Sequence, residues 1–342
     1  MKRLQMLRSG NFVDSWRQSI NHYFVPDVSA EVMYISVGAN GVIITSSDGI
    51  VWTVRNSGTI RNLTRIVFNN SFFVFTADDS NICCISNNGF DWLTHNITII
   101  HPRSFVWSDS QFIFVVVGLF GNIFTSPDGL IWTSRSSGTT QNFTKVIFVQ
   151  NQFIAISSGN GVFTSTNGIT WTIRTTSTPV ELLDVIWTGS LYLACGTDGR
   201  ILVSSDSITW VERTTGSNIT ISSIINSDSI IVAVSNNGRI ITSIDGITWT
   251  ARVSNTSNNL IKVIRSKTLF VAIGVNNTLL TSPNGINWQL ISTGVTFGFV
   301  DIIFRNSKYI IVGGNGGILT SSDGVIWTSR VSNTTNTLIT VY

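Results

Sequence analysis

The chain has 342 residues, of which 43% are apolar and 11% charged, with 21 basic against 18 acidic side chains and a formal charge of +3. That composition excludes a disordered or coiled chain, and so slight a positive excess excludes a general electrostatic grip on nucleic acid or anionic lipid. Cys83 and Cys84 are adjacent and Cys195 is distant, so they make neither a disulfide framework nor a spaced metal site and read as small buried apolar residues.

The first 30 residues belong to no repeat and hold Leu4, Met6, Leu7, Phe12, Trp16, Tyr23 and Phe24 among scattered basic residues. No apolar run there has signal-peptide length, and no later stretch is long enough to span a bilayer, so neither export nor membrane insertion is expected. So dense an apolar segment either folds back over the rest or docks into another protein. Docking is the preferred reading, which divides the chain into an attachment arm, 1–30, and a repeat domain, 31–342.

From Thr45 onward one pattern recurs: TSSDGIVWT, SNNGFDWL from Ser86, TSPDGLIWT from Thr125, TSTNGITWT from Thr164, VSSDSITWV from Val203, TSIDGITWT from Thr242, TSPNGINWQ from Thr281 and TSSDGVIWT from Thr320. Its tryptophans, Trp52, Trp92, Trp132, Trp171, Trp210, Trp249, Trp288 and Trp327, are spaced by 40, 40, 39, 39, 39, 39 and 39 residues. Within a unit the apolar runs are short, β-branched or aromatic and separated by Gly, Asn, Asp and Ser, as in 63–68, 72–76, 82–85 and 91–95. Four short strands in about 40 residues make one propeller blade. The predicted fold is all-β: eight four-stranded antiparallel blades.

The ends of the chain carry a test of that fold. A first strand begins eleven residues after each tryptophan, at Leu63, Arg103, Phe143, Leu182, Ile221, Leu260, Phe299 and Leu338, and no blade comes after the last of them. The first tryptophan is preceded by too few strands, and 338–342 fits the vacancy, so the C-terminal strand is expected to complete the first blade.

The repeated pattern resembles the Asp-box, or BNR, repeats of sialidase-like propellers, in a contracted form with Gly directly after the acid. The resemblance implies a turn between third and fourth strands in which Asp48, Asp128, Asp245 or Asp323 accepts turn amides while the tryptophan fills the gap between sheets. Asn88, Asn167 and Asn284 replace the acid in three units and Ser207 replaces the Gly in one, so the pattern reads as a device of the fold. Arg55, Arg135, Arg174, Arg213, Arg252 and Arg330 recur three residues past the tryptophan; cover for outer apolar surface, or a local pairing partner, is the preferred reading of them.

In sialidase-like propellers the site lies opposite the boxes, on fourth-to-first connections and second-to-third turns. Here those connections, such as RNSGTIRN from Arg55 and RSSGTTQN from Arg135, are short and alike. Glycosidase chemistry needs two facing carboxylic acids, and only Glu181 of the three glutamates, Glu31, Glu181 and Glu212, falls in such a loop. His22, His95 and His101 lack metal-ligand spacing, and no catalytic residue, cofactor or metal is expected. The remaining candidates are for ligand binding. Thirteen residues past each tryptophan stand Arg65, Phe105, Lys145, Asp184, Ser223, Lys262, Asp301 and Thr340, placed at the channel mouth. Departures from the loop consensus add His101, Phe120, Arg200, Arg239 and Phe297.

Propellers of this Asn-, Ile-, Ser- and Thr-rich kind are similar to domains of phage tail and appendage proteins and of bacterial surface proteins. The leading expectation is a non-enzymatic virion protein, located in the virion or otherwise in the cytoplasm, bound to other virion proteins through 1–30 and offering its propeller to proteins or host glycans. A divergent glycan hydrolase and an assembly factor like the photosystem propellers are the alternatives.

Overall fold

Short runs of β-branched and aromatic residues broken by Gly, Asn and Asp favour antiparallel meanders joined by tight turns, and every unit of this chain forms one. The computed structural model describes residues 34–78, 82–97, 101–159, 161–176, 180–227 and 229–342; the expected arm, 1–30, lies outside them. Among these residues eight sheets of four antiparallel strands succeed one another, as the sequence predicts. Blade 4 shows the pattern in Phe143–Val149, Gln152–Ser157, Gly161–Ser165 and Thr172–Thr175. The first strands, Leu63–Phe68, Pro102–Ser108, Phe143–Val149, Leu182–Trp187, Ile221–Asn226, Leu260–Arg265, Phe299–Arg305 and Leu338–Val341, each contact the first strand of both neighbouring blades and so surround the axis.

Alternate residues of a strand face opposite sides of its sheet, and the core is therefore divided among the gaps between blades. Ile154, Ile156 and Val162 of blade 4 meet Leu182, Val185 and Tyr192 of blade 5 in one such gap. Cys83, Cys84 and Cys195 are fully buried in others, and burial pushes all three thiols up, Cys84 to about 11, in keeping with a packing role.

Closure takes the expected split form. Leu338–Val341 pairs with Tyr34–Gly38, which carries Ile43–Ser46 and Thr53–Arg55 outside it. Ile35 and Tyr342 exchange both backbone bonds, at 3.1 and 2.8 Å. Because Tyr34 pairs with Ser46, at the foot of the first signature turn, and Tyr342 lies opposite Ile35, both ends of the described chain leave on the signature-turn face.

The signature turn is built from its side chains. Ser46 Oγ donates to Asp48 Oδ1 at 3.0 Å and accepts the Gly49 N–H at 2.8 Å, while Asp48 Oδ1 accepts from Ile50 and Val51 at 2.7 and 3.0 Å. Gly49 takes φ 71°, which glycine adopts without a Cβ penalty, and the Trp52 indole N–H closes the turn on its carbonyl at 3.3 Å. Asn88 accepts from Phe90 and Asp91 in the same way, so the oxygen suffices without the charge. Trp249 alone among the eight indoles has a buried N–H with no acceptor.

These amides stabilise the ionised acid. Asp206 and Asp245 are pulled down to about 2, and Asp48 and Asp323 are lowered too, in each case chiefly by the two backbone N–H bonds. A folded pKa below the unfolded value, about 3.9, adds stability that is present above that value and is lost as pH falls through the folded one. The melting temperature should therefore change little between neutral pH and about pH 5 and drop between about pH 4 and 2. Following it by circular dichroism for the wild type and Asp245→Asn, whose turn keeps its acceptor without the acid, should show a shallower acid limb in the variant.

Candidate functional site

The ring of candidate residues owes its position to an irregularity repeated in the first strands. In blade 4, Phe143 pairs with Ser157 and Lys145 with Ile156, so Thr144 is an extra residue, a bulge that re-aims the side chains after it. The same shift occurs in the other seven blades. The residue after the bulge is Arg65 in blade 2, Lys145, Asp184, Ser223, Lys262 and Asp301 in blades 4 to 8, and Thr340 in blade 1, close to where each first strand begins.

Blade 3 requires a correction. Its first strand begins at Pro102, one residue before Arg103, and Ser104 rather than Phe105 comes after the bulge. Phe105 instead packs in a gap between blades, 5.4 Å from the Phe114 ring and 5.5 Å from Trp132. The strand begins ten residues after Trp92 where the others begin eleven after their tryptophans, so counting thirteen from the tryptophan overshoots the ring position by one.

Once aligned, the ring is stitched from blade to blade. Ser104 Oγ accepts the Val146 N–H at 3.1 Å, Asp184 Oδ2 that of Ile224 at 3.0 Å, Ser223 Oγ that of Val263 at 3.4 Å and Asp301 Oδ2 that of Val341 at 3.1 Å. Asp184 Oδ1 also accepts its neighbour Val185 N–H at 2.9 Å, and Asp301 Oδ1 the Ile302 N–H at 2.9 Å. Onto these two nearly buried carboxylates the preceding blades place ammonium groups, Lys145 on Asp184 and Lys262 on Asp301 at 2.5 Å. Thr340 Oγ1 donates to Asp301 Oδ2 at 2.9 Å. Four of the five charged ring residues proposed for ligand binding thus bond one another. Arg65 does not; it reaches the carbonyls of Arg103 and Thr64 at 3.0 and 2.9 Å.

The loop candidates fall on the face where the first strands begin. In five blades the second-to-third turn there is held under its own blade's outgoing connection: a Cβ added to Gly41 would lie 1.9 Å from the Thr59 carbonyl, and one on Gly121 the same distance from that of Thr139. Arg200 pairs with Glu212 at 3.3 Å, and Arg239 donates to the Thr215 carbonyl at 2.6 Å, so both fasten the outer strand of blade 5 and the connection that leaves it. Phe297 is half-buried against Gly317 and Phe299 and lines an open hollow of about 710 Å³ with Asn315 and Arg330. Phe120 is 63% exposed and meets the His101 ring edge-on at 5.8 Å. It sits at φ 56°, where other blades place Asn40, Asp198, Asn237 and Asn315, and that region costs a bulky residue conformational energy.

The arginines beyond the tryptophans pair locally. Arg55, Arg135, Arg174, Arg252 and Arg330 each donate from Nε to a threonine hydroxyl ten residues earlier, at 2.8 to 3.0 Å. In blade 5 that threonine is Val203, and the Arg213 Nε is buried without a partner. Val203→Thr, nearly isosteric, should supply the acceptor and raise stability by about 1 kcal/mol, read as a shift in the denaturation midpoint at unchanged slope.

Among the described residues no cluster of His, Cys, Asp or Glu could hold a metal ion, and no helix is long and apolar enough to cross a membrane. What the fold and the ring define is an eight-bladed β-propeller. The family model for the DUF6242 beta propeller domain matches residues 126–261, and no curated protein matches the sequence. Among solved structures, YCF48 from Cyanidioschyzon merolae is similar with a TM-score of 0.55 at 16% identity, over 69% of this chain and 86% of that one. A structure of YCF48 bound to D1 peptide gives 0.57 at 18%, over 78% and 87%. Dihydro-heme d1 dehydrogenase NirN, in complex with DHE, gives 0.72 at 11%, over 93% and 76%. Likeness at such identities is one of fold.

Proposed function

We propose that this propeller is a non-enzymatic platform that binds a polypeptide, of the assembly-factor kind. The observation that carries the reading is the use made of the ring: Lys145, Asp184, Lys262 and Asp301 are engaged in bonds between blades, which suits a rigid scaffold. The YCF48 structure with a bound peptide supplies the analogy for a propeller that holds a polypeptide. Both ends of the described residues, Tyr34 and Tyr342, lie on the signature-turn face, so an arm at 1–30 that attaches the protein on that side would present the opposite face, with Phe120 and Phe297, to the partner. The Asp-box likeness of the turns and the phage-appendage reading are compatible with such a platform and rest on the sequence alone.

A photo-crosslinking residue at Phe120 and, separately, at Ile244 on the signature-turn face, in the full chain in its native cells, tests this. A saturable polypeptide adduct from position 120 that purified partner competes away is the expected result. Release of reducing ends from a glycan panel by the same protein would overturn it in favour of a hydrolase, and adducts formed only at 244 would overturn the choice of face.

A further inference from the structure

We infer that the channel wall between blades 2 and 3 binds a small oxyanion, a carboxylate or phosphate group, in the place that an aspartate fills elsewhere in the ring. Three of the eight ring positions are basic, Arg65, Lys145 and Lys262. After two of them the next blade supplies an aspartate, and each aspartate does the same three things: it accepts its own neighbour's N–H, accepts an N–H of the blade beyond, and pairs with the cation of the blade before. After Arg65 the next blade supplies Ser104, which keeps the bond to the blade beyond, Val146 N–H at 3.1 Å, and lacks the carboxylate. The third cation of a repeated device therefore stands without the third acid.

Its surroundings increase the imbalance. The Arg65 side chain is solvent-exposed and binds two carbonyls through Nε and Nη1, and a guanidinium carries five N–H donors. Arg103 is also exposed, and its charge disfavours that of Arg65, while the more distant carboxylates of Asp301 and Asp78, neither of them bonded to Arg65, favour it. Enough protein surrounds Arg65 that desolvation lowers its pKa despite the open channel. Two hydroxyls beside it, Thr64 Oγ1 on the bulge and Thr76 Oγ1 at the residue paired with Arg65, are buried without a hydrogen-bond partner. The other blades place Val117, Ile156, Cys195, Val234, Ile273, Val312 and Val37 where blade 2 has Thr76, so the polar residue is peculiar to this wall. Two adjacent cations with spare donors on this wall favour an oxyanion over chloride because planar or tetrahedral oxygens match the guanidinium fork. The inference stands whether or not the partner of the platform is a polypeptide.

The test is thermal unfolding of the full chain against inorganic phosphate, acetate and chloride at matched ionic strength, with isothermal calorimetry for the anion that acts. Phosphate or acetate should raise the melting temperature saturably and chloride should not; which of the two does so identifies the class. Arg65→Gln should weaken the effect by about tenfold, the size expected for one charge-assisted bond. Ser104→Asp should abolish it while raising stability in plain buffer, since the acid is then supplied by the chain, and Lys267→Gln, a surface lysine elsewhere, should leave it unchanged. Equal stabilisation by all three salts, or an anion effect that survives both Arg65→Gln and Ser104→Asp, would overturn the inference. A polypeptide partner captured at Phe120 with no anion effect would sink this site and leave the platform standing.

Discussion

Deletion of residues 338–342 should cost the protein its cooperative fold. Those five residues form the first strand of blade 1, and without them Tyr34–Gly38 becomes a bare edge facing the channel. Leu338 is fully buried and Val341 nearly so, in one cluster with Ile44, Trp52, Ile310 and Ile318, and the two side chains alone are worth about 3–5 kcal/mol by area. Asp301 would also lose the Val341 amide and the Thr340 hydroxyl, leaving a carboxylate oxygen inside the protein without them. Since a domain has about 5–15 kcal/mol in hand, the truncated chain should be largely insoluble, or should melt without a cooperative transition in circular dichroism. Removing Tyr342 alone is a graded control. Its ring touches Phe68 and Phe73 at 6.1 and 5.7 Å and lies under the Arg305 guanidinium at 4.2 Å, contacts whose loss should lower stability by about 1–3 kcal/mol and leave a folded protein. A truncated chain as stable as the wild type would mean that the ring does not depend on this strand.

Whether a feature of this propeller could be read from residues alone depends on what physically sets it. The blade count and the closing strand were legible because the tryptophan spacing is nearly constant and the two chain ends fall out of phase by one strand. The ring was legible as a row of positions about one repeat apart, and so was one further signal, opposite charges 39 residues apart at Lys145 and Asp184 and again at Lys262 and Asp301. What sequence cannot display is that the aspartates serve backbone amides of the next blade, because that depends on a bulge, and a bulge changes register without changing composition. Phe105 took the place of Ser104 for a different reason, a connection from Trp92 that is one residue shorter than its counterparts. Pairing of Arg55 with Thr45 was open to view in the ten-residue spacing shared by five blades, with Val203 as the informative exception. The orphaned hydroxyls of Thr64 and Thr76 had no signal, since a threonine in a strand is ordinary until its neighbours are known.

The asymmetry between the two members of each pair leads to a second large effect. Asp301 holds the Ile302 and Val341 amides, the Thr340 hydroxyl and the Lys262 ammonium, and it sits where the last blade meets the strand that closes the ring. Asp301→Ala strands two buried N–H groups and one lysine together, and breaking a buried pair in this way costs about 3–5 kcal/mol. Lys262→Met removes a side chain that is 37% exposed and leaves the carboxylate with its three other donors, so it should cost about 1 kcal/mol or less. Asp301→Asn should lie between them, because one amide oxygen accepts while the NH2 group now faces a donor. Urea unfolding of the three variants would rank them. If Lys262→Met proved as costly as Asp301→Ala, the ammonium from blade 7 rather than the backbone bonds would account for what Asp301 contributes, and the reading of this ring as a set of amide-anchored stitches would be wrong.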